Sequence, residues 1–258
     1  MDIKIEKPTD TLTRLSMIIW GDSGGGKTTL AATMPGRKLF IMFDPDGDMS
    51  IRNIPSWERI YLAGEQSVDI VKEGVKPDPY TLYNKLDDFD TIIVDSLTKF
   101  SEHALQYAVR IAPKSSIEAP GLNGYGLRNT YVGAFVSNMI RITAMKNKHI
   151  VFITHEKSPD MNSDGNITGV SMMLGGQLPN VASKDISEVW NLRDHGGKRY
   201  IAIRPERFRA PMKSRMFDMM SNSAFEWKYN SNKCEGPTIE SWWDAYVASG
   251  YAKLPLPK

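Results

Sequence analysis

The sequence is poor in cysteine, has no excess of charge of one sign, and contains no long run of apolar residues. Its 258 residues include one cysteine, Cys234, so no disulfide can form within the chain. This excludes the small secreted proteins that depend on disulfides for stability. No apolar run is long enough to span a bilayer, and the alternating charged and apolar residues at positions 1–8 do not resemble a signal peptide. We therefore expect a soluble, cytoplasmic protein that does not bind membranes.

The charges of the chain almost cancel, with 32 Lys and Arg residues against 30 Asp and Glu residues and a net charge of +2. Such a balance offers no general attraction to nucleic acid or to membranes, so any basic surface must come from local clustering. The composition, 41% hydrophobic and 24% charged, is ordinary for a globular protein. A chain of this length can bury one large core, as a single α/β domain does.

Short apolar runs alternate with helical patterns in the first part of the chain. Buried strands are predicted where the runs are continuous, at residues 16–20, 39–43, 59–62, 91–94 and 150–153. Helices are predicted between them, at about residues 26–35, 78–87, 97–111 and 132–143. Strands that are apolar on both faces and separated by amphipathic helices indicate a mostly parallel sheet with helices on both faces.

The second half of the chain has a different pattern. Two apolar segments, 186–192 and 199–203, flank a glycine-containing turn that favours a β-hairpin. Together with a further strand at 225–229, they predict an antiparallel extension at the carboxyl-terminal side of the sheet. We expect residues 1–235 to form one domain, and residues 236–258 to form a helix and tail that dock on it through aromatic side chains.

One motif carries a specific chemical prediction. Residues 21–28 match the pattern G-x-x-x-x-G-K-[ST] of a phosphate-binding loop, between a predicted strand and a predicted helix. Its glycines allow backbone N–H groups to approach phosphate oxygens, Lys27 supplies a point charge, and the Thr28 hydroxyl is a ligand for Mg²⁺. Nucleotide binding is predicted for Gly21, Asp22, Ser23, Gly24, Gly25, Gly26, Lys27, Thr28 and Thr29. We expect ATP rather than GTP, because no Asn-Lys-x-Asp guanine motif stands in a suitable place.

Aspartates end two of the predicted strands. Asp95 follows the fourth strand, where an aspartate in the Walker B arrangement holds Mg²⁺; the alternative is an aspartate that only caps the next helix. Asp44 follows the second strand, which we expect beside the strand that leads into the phosphate-binding loop. We favour Asp44 over Asp46 as the residue that positions the attacking water. The alternative is an ordinary turn of Asp-Pro-Asp-Gly-Asp, since these residues favour turns.

A histidine follows the predicted strand at 150–153. Strand ends on this side of an open α/β sheet converge on the ligand, so His155 is a candidate to sense the γ-phosphate. The alternative is a histidine that only forms hydrogen bonds with neighbouring backbone.

The assembled pattern resembles RecA-type ATPases of the RecA and KaiC group. More narrowly, it is similar to the compact phage and prophage ATP-binding proteins that act as RecA-like single-strand annealing proteins. The resemblance covers about residues 14–220 and rests on residues 21–28, 91–96 and 151–156. It implies a RecA-like P-loop ATPase domain that hydrolyses ATP with Mg²⁺. One departure concerns Asp44, because RecA-type enzymes usually carry a glutamate there, which leaves slow hydrolysis or a different base open.

The resemblance also implies residues that act between subunits. In this group a Lys-x-Arg pair late in the domain reaches the neighbouring subunit's ATP, where its charge stabilises the γ-phosphate during transfer. Lys213 and Arg215 stand in that pattern here. On this interpretation the protein assembles into rings or filaments. The alternative is a solvated basic stretch, because other arginines stand nearby.

RecA-like proteins bind single strands of DNA through mobile loops. The stretch 113–129 contains Pro, Gly, Ser and Asn, and the stretch 156–180 is rich in Gly, Ser, Asn and Asp, so we predict long loops there, in comparable places. The candidate contacts to phosphates, and for the tyrosine to a base, are Lys114, Tyr125, Arg128 and Lys157.

The leading functional hypothesis is an ATP-dependent protein that anneals or remodels single-stranded DNA in phage recombination or replication. It would work in the cytoplasm of the bacterial host and alongside a phage or host single-strand binding protein. The second hypothesis is an ATPase motor or switch that acts on protein partners, such as a packaging, partitioning or loading factor. The third is a small-molecule kinase, which is disfavoured because no arginine-rich lid segment is apparent.

Overall fold

A computed structural model describes residues 14–52, 54, 57–64, 67–69, 82–112, 116–206, 208–218, 224–228 and 236–257. The strands are β1 (Ser16–Gly21), β2 (Lys38–Met42), β3 (Trp57–Tyr61), β4 (Thr91–Asp95), β5 (His149–His155), β6 (Asp160–Met161), β7 (Ile167–Gly169), β8 (Glu188–His195), β9 (Lys198–Ala202) and β10 (Ala224–Trp227). The helices are α1 (Lys27–Ala31), α2 (Leu82–Lys85), α3 (Leu97–Ile111), α4 (Gly121–Met145), α5 (Leu178–Lys184) and α6 (Ile239–Ala248), and a 3₁₀ turn spans Gly47–Ser50.

The main sheet has the strand order β10-β9-β8-β1-β5-β4-β2-β3. The pairs from β8 through β1, β5, β4 and β2 to β3 are parallel, whereas β8–β9 and β9–β10 are antiparallel. The prediction of a mostly parallel α/β sheet with an antiparallel carboxyl-terminal extension is therefore confirmed. Strands β6 and β7 form a separate two-stranded ribbon.

The expected position of β2 beside β1 is wrong. Strands β5 and β4 lie between them, so β1 has β5 and β8 as its neighbours. The apolar pattern of a buried strand indicates that the strand is covered on both faces but does not indicate its partners. Asp44 nevertheless lies at the same edge as the phosphate-binding loop, because parallel strands end at a common edge.

The core lies on both faces of the sheet, because successive side chains of a strand point to opposite faces. Ile18 and Trp20 of β1 belong to a core cluster that also contains Phe100 of α3 and Phe135 of α4. Met17 and the other odd-numbered apolar residue of β1 point to the opposite face and belong to a second cluster, which includes residues of α1 and α6. Because both faces of β1 are covered, its residues are apolar at consecutive positions.

Helix α4 corrects the prediction of a loop at residues 113–129. The helix begins at Gly121, so Tyr125 and Arg128 are helical, while residues 113–115 lie outside the described part of the chain. Glycines in the first turns cost about 1 kcal/mol each relative to alanine, which is why the sequence argued against a helix. Packing compensates for this cost: Gly124 is buried, and Tyr131 packs edge-on against Tyr107 of α3 at 5.3 Å.

The second predicted loop, residues 156–180, also contains regular structure. It includes the ribbon of β6 and β7, and α5 begins at Leu178. The first helix is shorter than predicted, because α1 ends at Ala31 and turns follow to residue 37. Of the helix predicted at residues 78–87, positions 78–81 lie outside the described residues, and α2 covers only Leu82–Lys85. Among the described residues, the helices lack the combination of length and apolarity that crossing a bilayer requires.

The carboxyl-terminal helix α6 packs on the second core cluster. Thr238 caps it, because its hydroxyl accepts a hydrogen bond from the Ser241 N–H while the Ser241 hydroxyl accepts one from the Thr238 N–H. Trp242 contacts Trp190 and Phe217 with ring centroids 5.7 and 5.6 Å apart. The aromatic side chains that the sequence marked as a docking face are therefore buried.

Replacing Trp242 with alanine is expected to destabilise the protein by about 3 kcal/mol, because truncating a buried tryptophan leaves a cavity. The indole is only 7% exposed. Chemical denaturation monitored by circular dichroism measures the change. Val247→Ala is the matched control on the same helix, since Val247 is 38% exposed. Equal stability of the two variants would show that the helix does not contribute to the core.

Candidate active site

Residues from four parts of the sequence meet at the carboxyl edge of the parallel strands. Gly21 at the end of β1 is in register with His155 at the end of β5. Asp95 at the end of β4 is in register with Ile153 of β5. Asp44 follows the end of β2, whose Met42 is in register with Asp95. A parallel sheet therefore brings the predicted site residues to one place, as the general rule for open α/β sheets requires.

The loop after β1 has a backbone that only glycine accommodates at several positions. Gly24 and Gly26 have φ values of 72° and 91°, in the region that L side chains rarely adopt. A Cβ on Gly21 would lie 1.8 Å from the Leu192 carbonyl oxygen, so β8 can approach the loop only because residue 21 has no side chain. These glycines give the loop the tight turn that phosphate binding needs.

Lys27 lies at the centre of the loop and is buried. Its Nζ donates a hydrogen bond to the Asp22 carbonyl oxygen at 2.6 Å and lies 3.5 Å from Nδ1 of His155. Burial lowers the pKa of Lys27 to about 8, although the negative charges of Asp95, Asp22 and Glu156 oppose this shift. Among the described residues no carboxylate forms an ion pair with this ammonium, and a phosphate group would supply such a partner.

Thr28 and Asp95 form the second part of the site. The Thr28 hydroxyl donates a hydrogen bond to Asp95 Oδ2 at 2.8 Å. Burial raises the pKa of Asp95 to about 6, while this hydrogen bond and the charge of Lys27 lower it. A hydroxyl and a carboxylate at this distance are hard oxygen donors that suit Mg²⁺. Within the described ranges no group of three or more His, Cys, Asp or Glu side chains could hold a metal.

A cavity of about 220 Å³ opens beside these residues. It is lined by Ser23, Gly24, Gly26, Lys27, Thr28, Thr29, Asp44, Gly47, Ser50, Asp95, Ser96, Ile153 and His155. In the part of the chain that the structure describes, Lys27 is the one Lys or Arg side chain among them. Asp44 is exposed and its carboxylate accepts a hydrogen bond from the Asp46 N–H at 3.1 Å. Asp44, and not Asp46, therefore faces the cavity.

His155 connects the cavity with the segment that follows β7. Burial lowers the pKa of His155, and the charge of Lys27 lowers it further, so both favour the neutral imidazole. The His155 N–H donates to the Thr98 hydroxyl at 2.9 Å. Its carbonyl oxygen accepts from the Met173 N–H at 2.7 Å. The alternative of a histidine bonded only to neighbouring backbone does not account for the Lys27 contact.

Three of the predicted loop residues do not line the cavity. Gly21 packs against β8, and the Gly25 carbonyl oxygen accepts a hydrogen bond from Arg199 Nη1 at 3.2 Å. Asp22 faces a second, more open cleft of about 370 Å³, which is also lined by Arg193, Asp194, His195, Tyr200 and Arg209. The support from Arg199 had no signal in the sequence, because it lies 174 residues from Gly25. The sequence also did not predict that Gly47 and Ser50 line the cavity, although it indicated a turn after Asp44.

Lys213 and Arg215 lie away from the cavity of their own chain. Lys213 exchanges backbone hydrogen bonds of 2.8 and 2.9 Å with Val189, near the amino end of β8. Leu192 is the residue of β8 in register with Gly21, at the start of the phosphate-binding loop. Val189 stands three residues before Leu192, so Val189 lies about 10 Å from the level of the loop along β8. The Lys213 Nζ donates to the Lys184 carbonyl oxygen at 3.1 Å, and Arg215 is exposed. Neither side chain lines the cavity of its own chain.

The candidate DNA contacts have mixed environments. The Arg128 guanidinium stacks on the Tyr125 ring, 5.0 Å from its centroid, on the half-exposed first turns of α4. Lys157 forms an exposed ion pair with Asp160. Lys114 lies outside the described residues. The structure therefore brings two of the four candidates together.

The comparison with protein families agrees with this arrangement. A family model described as an AAA domain matches residues 13–213, which is most of the chain. The match includes the phosphate-binding loop, Asp44, Asp95 and His155, and ends two residues before Arg215. No curated protein matches the chain.

Proposed function

This chain belongs to the AAA domain family of P-loop NTPases, and from that premise we propose that it hydrolyses ATP with Mg²⁺ to act on single-stranded DNA. The observation that carries the ATPase part is the cavity that joins Lys27, Thr28 and Asp95 to Asp44 and His155. Lys27 would bind the β- and γ-phosphates, and Thr28 and Asp95 would hold Mg²⁺, which neutralises phosphate charge when bound.

The hydrolytic step needs a carboxylate near the γ-phosphate. Asp44 lines the cavity and is exposed, so it can orient a water molecule and accept its proton. The water oxygen bonds to phosphorus as the bond from phosphorus to the bridging oxygen breaks, which leaves ADP and phosphate. His155 lies beside Lys27 in surroundings that favour its neutral form, so its ring can donate a hydrogen bond to the γ-phosphate without adding charge.

A second cation is proposed to come from a neighbouring copy. Lys27 alone among the described Lys and Arg side chains lines the cavity, whereas the charge on a transferring phosphoryl group is usually stabilised by further cations. Lys213 and Arg215 lie toward the opposite edge of the sheet. Head-to-tail contact between copies would place them at the next subunit's site, and contacts of this kind generate rings or filaments.

The proposed partner of the ATPase is single-stranded DNA. The first turns of α4 lie at the same edge of the sheet as the cavity, because α4 ends where β5 begins and runs in the opposite direction. There the Arg128 guanidinium lies over the Tyr125 ring. An aromatic ring can stack on a base, and a cation can bind a phosphate of the strand. The Arg128 guanidinium lies against Gly175, and Met173 two residues earlier is bonded to His155. The γ-phosphate sensor and this face are therefore contiguous.

Single-stranded DNA is expected to stimulate ATP turnover, and Tyr125→Ala is expected to weaken DNA binding about tenfold, because stacking on an aromatic ring is worth about 1–3 kcal/mol per base. Fluorescence anisotropy of a labelled oligonucleotide and phosphate release measure the two effects. Met145→Ala is the control, since Met145 is 67% exposed at the far end of α4. If single-stranded DNA neither binds nor changes turnover and a protein partner does, the motor or switch hypothesis replaces this one.

A further inference from the structure

Glu188 is a fully buried carboxylate beside the segment that carries Lys213 and Arg215. It is the first residue of β8, has no exposed surface, and pairs in register with Met17 of β1. No described Lys, Arg or His side chain forms an ion pair with it. Burying a carboxylate in this way is costly, and an apolar residue would fill the same volume without that cost. The strand itself therefore does not require a glutamate at this position.

The Glu188 carboxylate accepts hydrogen bonds from two backbone N–H groups of the segment at 213–217 and from side chains. Oε1 accepts hydrogen bonds from the N–H groups of Arg215 at 2.7 Å and Met216 at 3.0 Å. Oε2 accepts one from the indole Nε1–H of Trp190 at 2.8 Å. The Ser214 side chain also forms a hydrogen bond with it. Burial raises the pKa of Glu188, and these hydrogen bonds, which favour the carboxylate, oppose that shift.

These contacts hold residues 213–217 in a single arrangement. Lys213 pairs with Val189 through both backbone hydrogen bonds, and the Phe217 N–H donates to the Ser214 hydroxyl at 3.0 Å. Met216 and Phe217 are buried while Arg215 is exposed between them and Ser214. The anchored backbone therefore fixes the position from which the exposed Arg215 side chain extends.

We propose that Glu188 is a positioning residue that holds Lys213 and Arg215 in place to reach the triphosphate of a neighbouring copy. The inference rests on the trans-acting role proposed above for these two cations. Glu188 itself stays inside its own subunit and touches neither ATP nor the partner. Its carboxylate replaces the water that would otherwise solvate the N–H groups of Arg215 and Met216 and so pre-organises the segment before assembly.

The test begins with Glu188→Gln, which keeps the size of the side chain but exchanges one acceptor oxygen for an amide donor. Turnover of the assembled protein is expected to fall about 30-fold, because pre-organised contacts to a transferring phosphoryl group carry a large part of the rate. ATP affinity is expected to stay within about twofold, since the P-loop is unchanged. Asp244→Asn, on an exposed position of α6, is the control. If Glu188→Gln retains wild-type turnover, the proposal is wrong.

Mixing experiments separate a positioning role from a general structural one. Lys27→Ala subunits have intact Lys213 and Arg215 but a defective loop, so adding them to Glu188→Gln subunits should restore turnover. With random head-to-tail assembly at equal amounts, recovery to roughly a quarter of the wild-type rate is expected. A structural defect in the variant's own nucleotide site would not be rescued. Ser214→Ala, which removes one hydroxyl bonded to Glu188, gives a second variant if Glu188→Gln folds poorly.

The outcomes distinguish this proposal from the one on which it rests. If Arg215→Ala is rescued by Lys27→Ala subunits and Glu188→Gln is not, the cations act in trans but Glu188 does not position them. If neither variant is rescued, the trans-acting role itself fails and the positioning role fails with it. Rescue of both variants to the same level is the result that the structure predicts.

Discussion

Replacing Lys27 with alanine is expected to weaken ATP binding about 100-fold, because charge-assisted hydrogen bonds to phosphate contribute up to about 3 kcal/mol. Turnover is expected to fall at least as far, since Lys27 alone among the described Lys and Arg side chains lines the cavity. Isothermal titration calorimetry with ATP and Mg²⁺ measures the first effect, and phosphate release measures the second. Unchanged binding and turnover would refute the nucleotide site.

Two further variants sharpen this test. Lys38 is also a buried lysine, but its Nζ donates to the Gly36 carbonyl oxygen away from the cavity, so Lys38→Ala should leave ATP affinity unchanged. The pKa of about 8 for Lys27 adds a pH dependence. The protonated amine binds phosphate, so affinity should decline as the pH rises from about 7 through 8. Lys27→Arg, whose guanidinium stays charged, should lose this decline.

Arg215→Ala is expected to reduce turnover about 1000-fold while ATP affinity stays within a factor of two, because arginines that act on a neighbour's γ-phosphate contribute about that much. The reason is geometric. Arg215 is exposed and lies toward the amino edge of β8, so it can stabilise the transferring phosphoryl group only in an assembled protein. Turnover measured across protein concentrations, beside mass measurements with and without nucleotide, checks this expectation.

The control for Arg215 is Arg141→Ala, which removes another exposed arginine from the surface of α4. It should leave turnover and assembly unchanged. Loss of ATP binding in monomeric Arg215→Ala would instead place Arg215 in the nucleotide site of its own subunit and would contradict the arrangement seen here. Full turnover of Arg215→Ala would identify the segment as a solvated basic stretch.

Much of the site was predictable because it is local in sequence. Residues 21–28 contain the whole phosphate-binding loop, and their glycines indicate a tight turn without any tertiary information. Asp95 and His155 were recognisable because each follows a continuous apolar run, and such runs predict buried parallel strands. The alternation of these strands with helices was enough for the fold class, which the structure and the family match confirm.

Predictions that depended on strand order or on weak helix signals were less successful. The place of β2 was wrong because an apolar run shows that a strand is buried and does not identify its neighbours. The first turns of α4 were missed because glycine disfavours a helix, and only packing against α3 outweighs that preference. The Arg199 contact with Gly25 could not be inferred, since nothing in the sequence connects residues 174 positions apart.

The sequence by itself determined the chemistry of this protein: a loop whose glycines and lysine suit phosphate, and strand-end residues that suit a metal and a water. Only the tertiary structure decided which of these groups meet. The Thr28 hydroxyl contacts Asp95 across 67 positions, and Lys27 contacts His155 across 128, because β1, β5 and β4 are parallel neighbours that end at one edge of the sheet. The structure also placed Lys213 and Arg215 away from their own cavity, anchored by Glu188. Local sequence patterns indicate the chemistry that a residue can perform, whereas burial and strand order determine which residues it contacts.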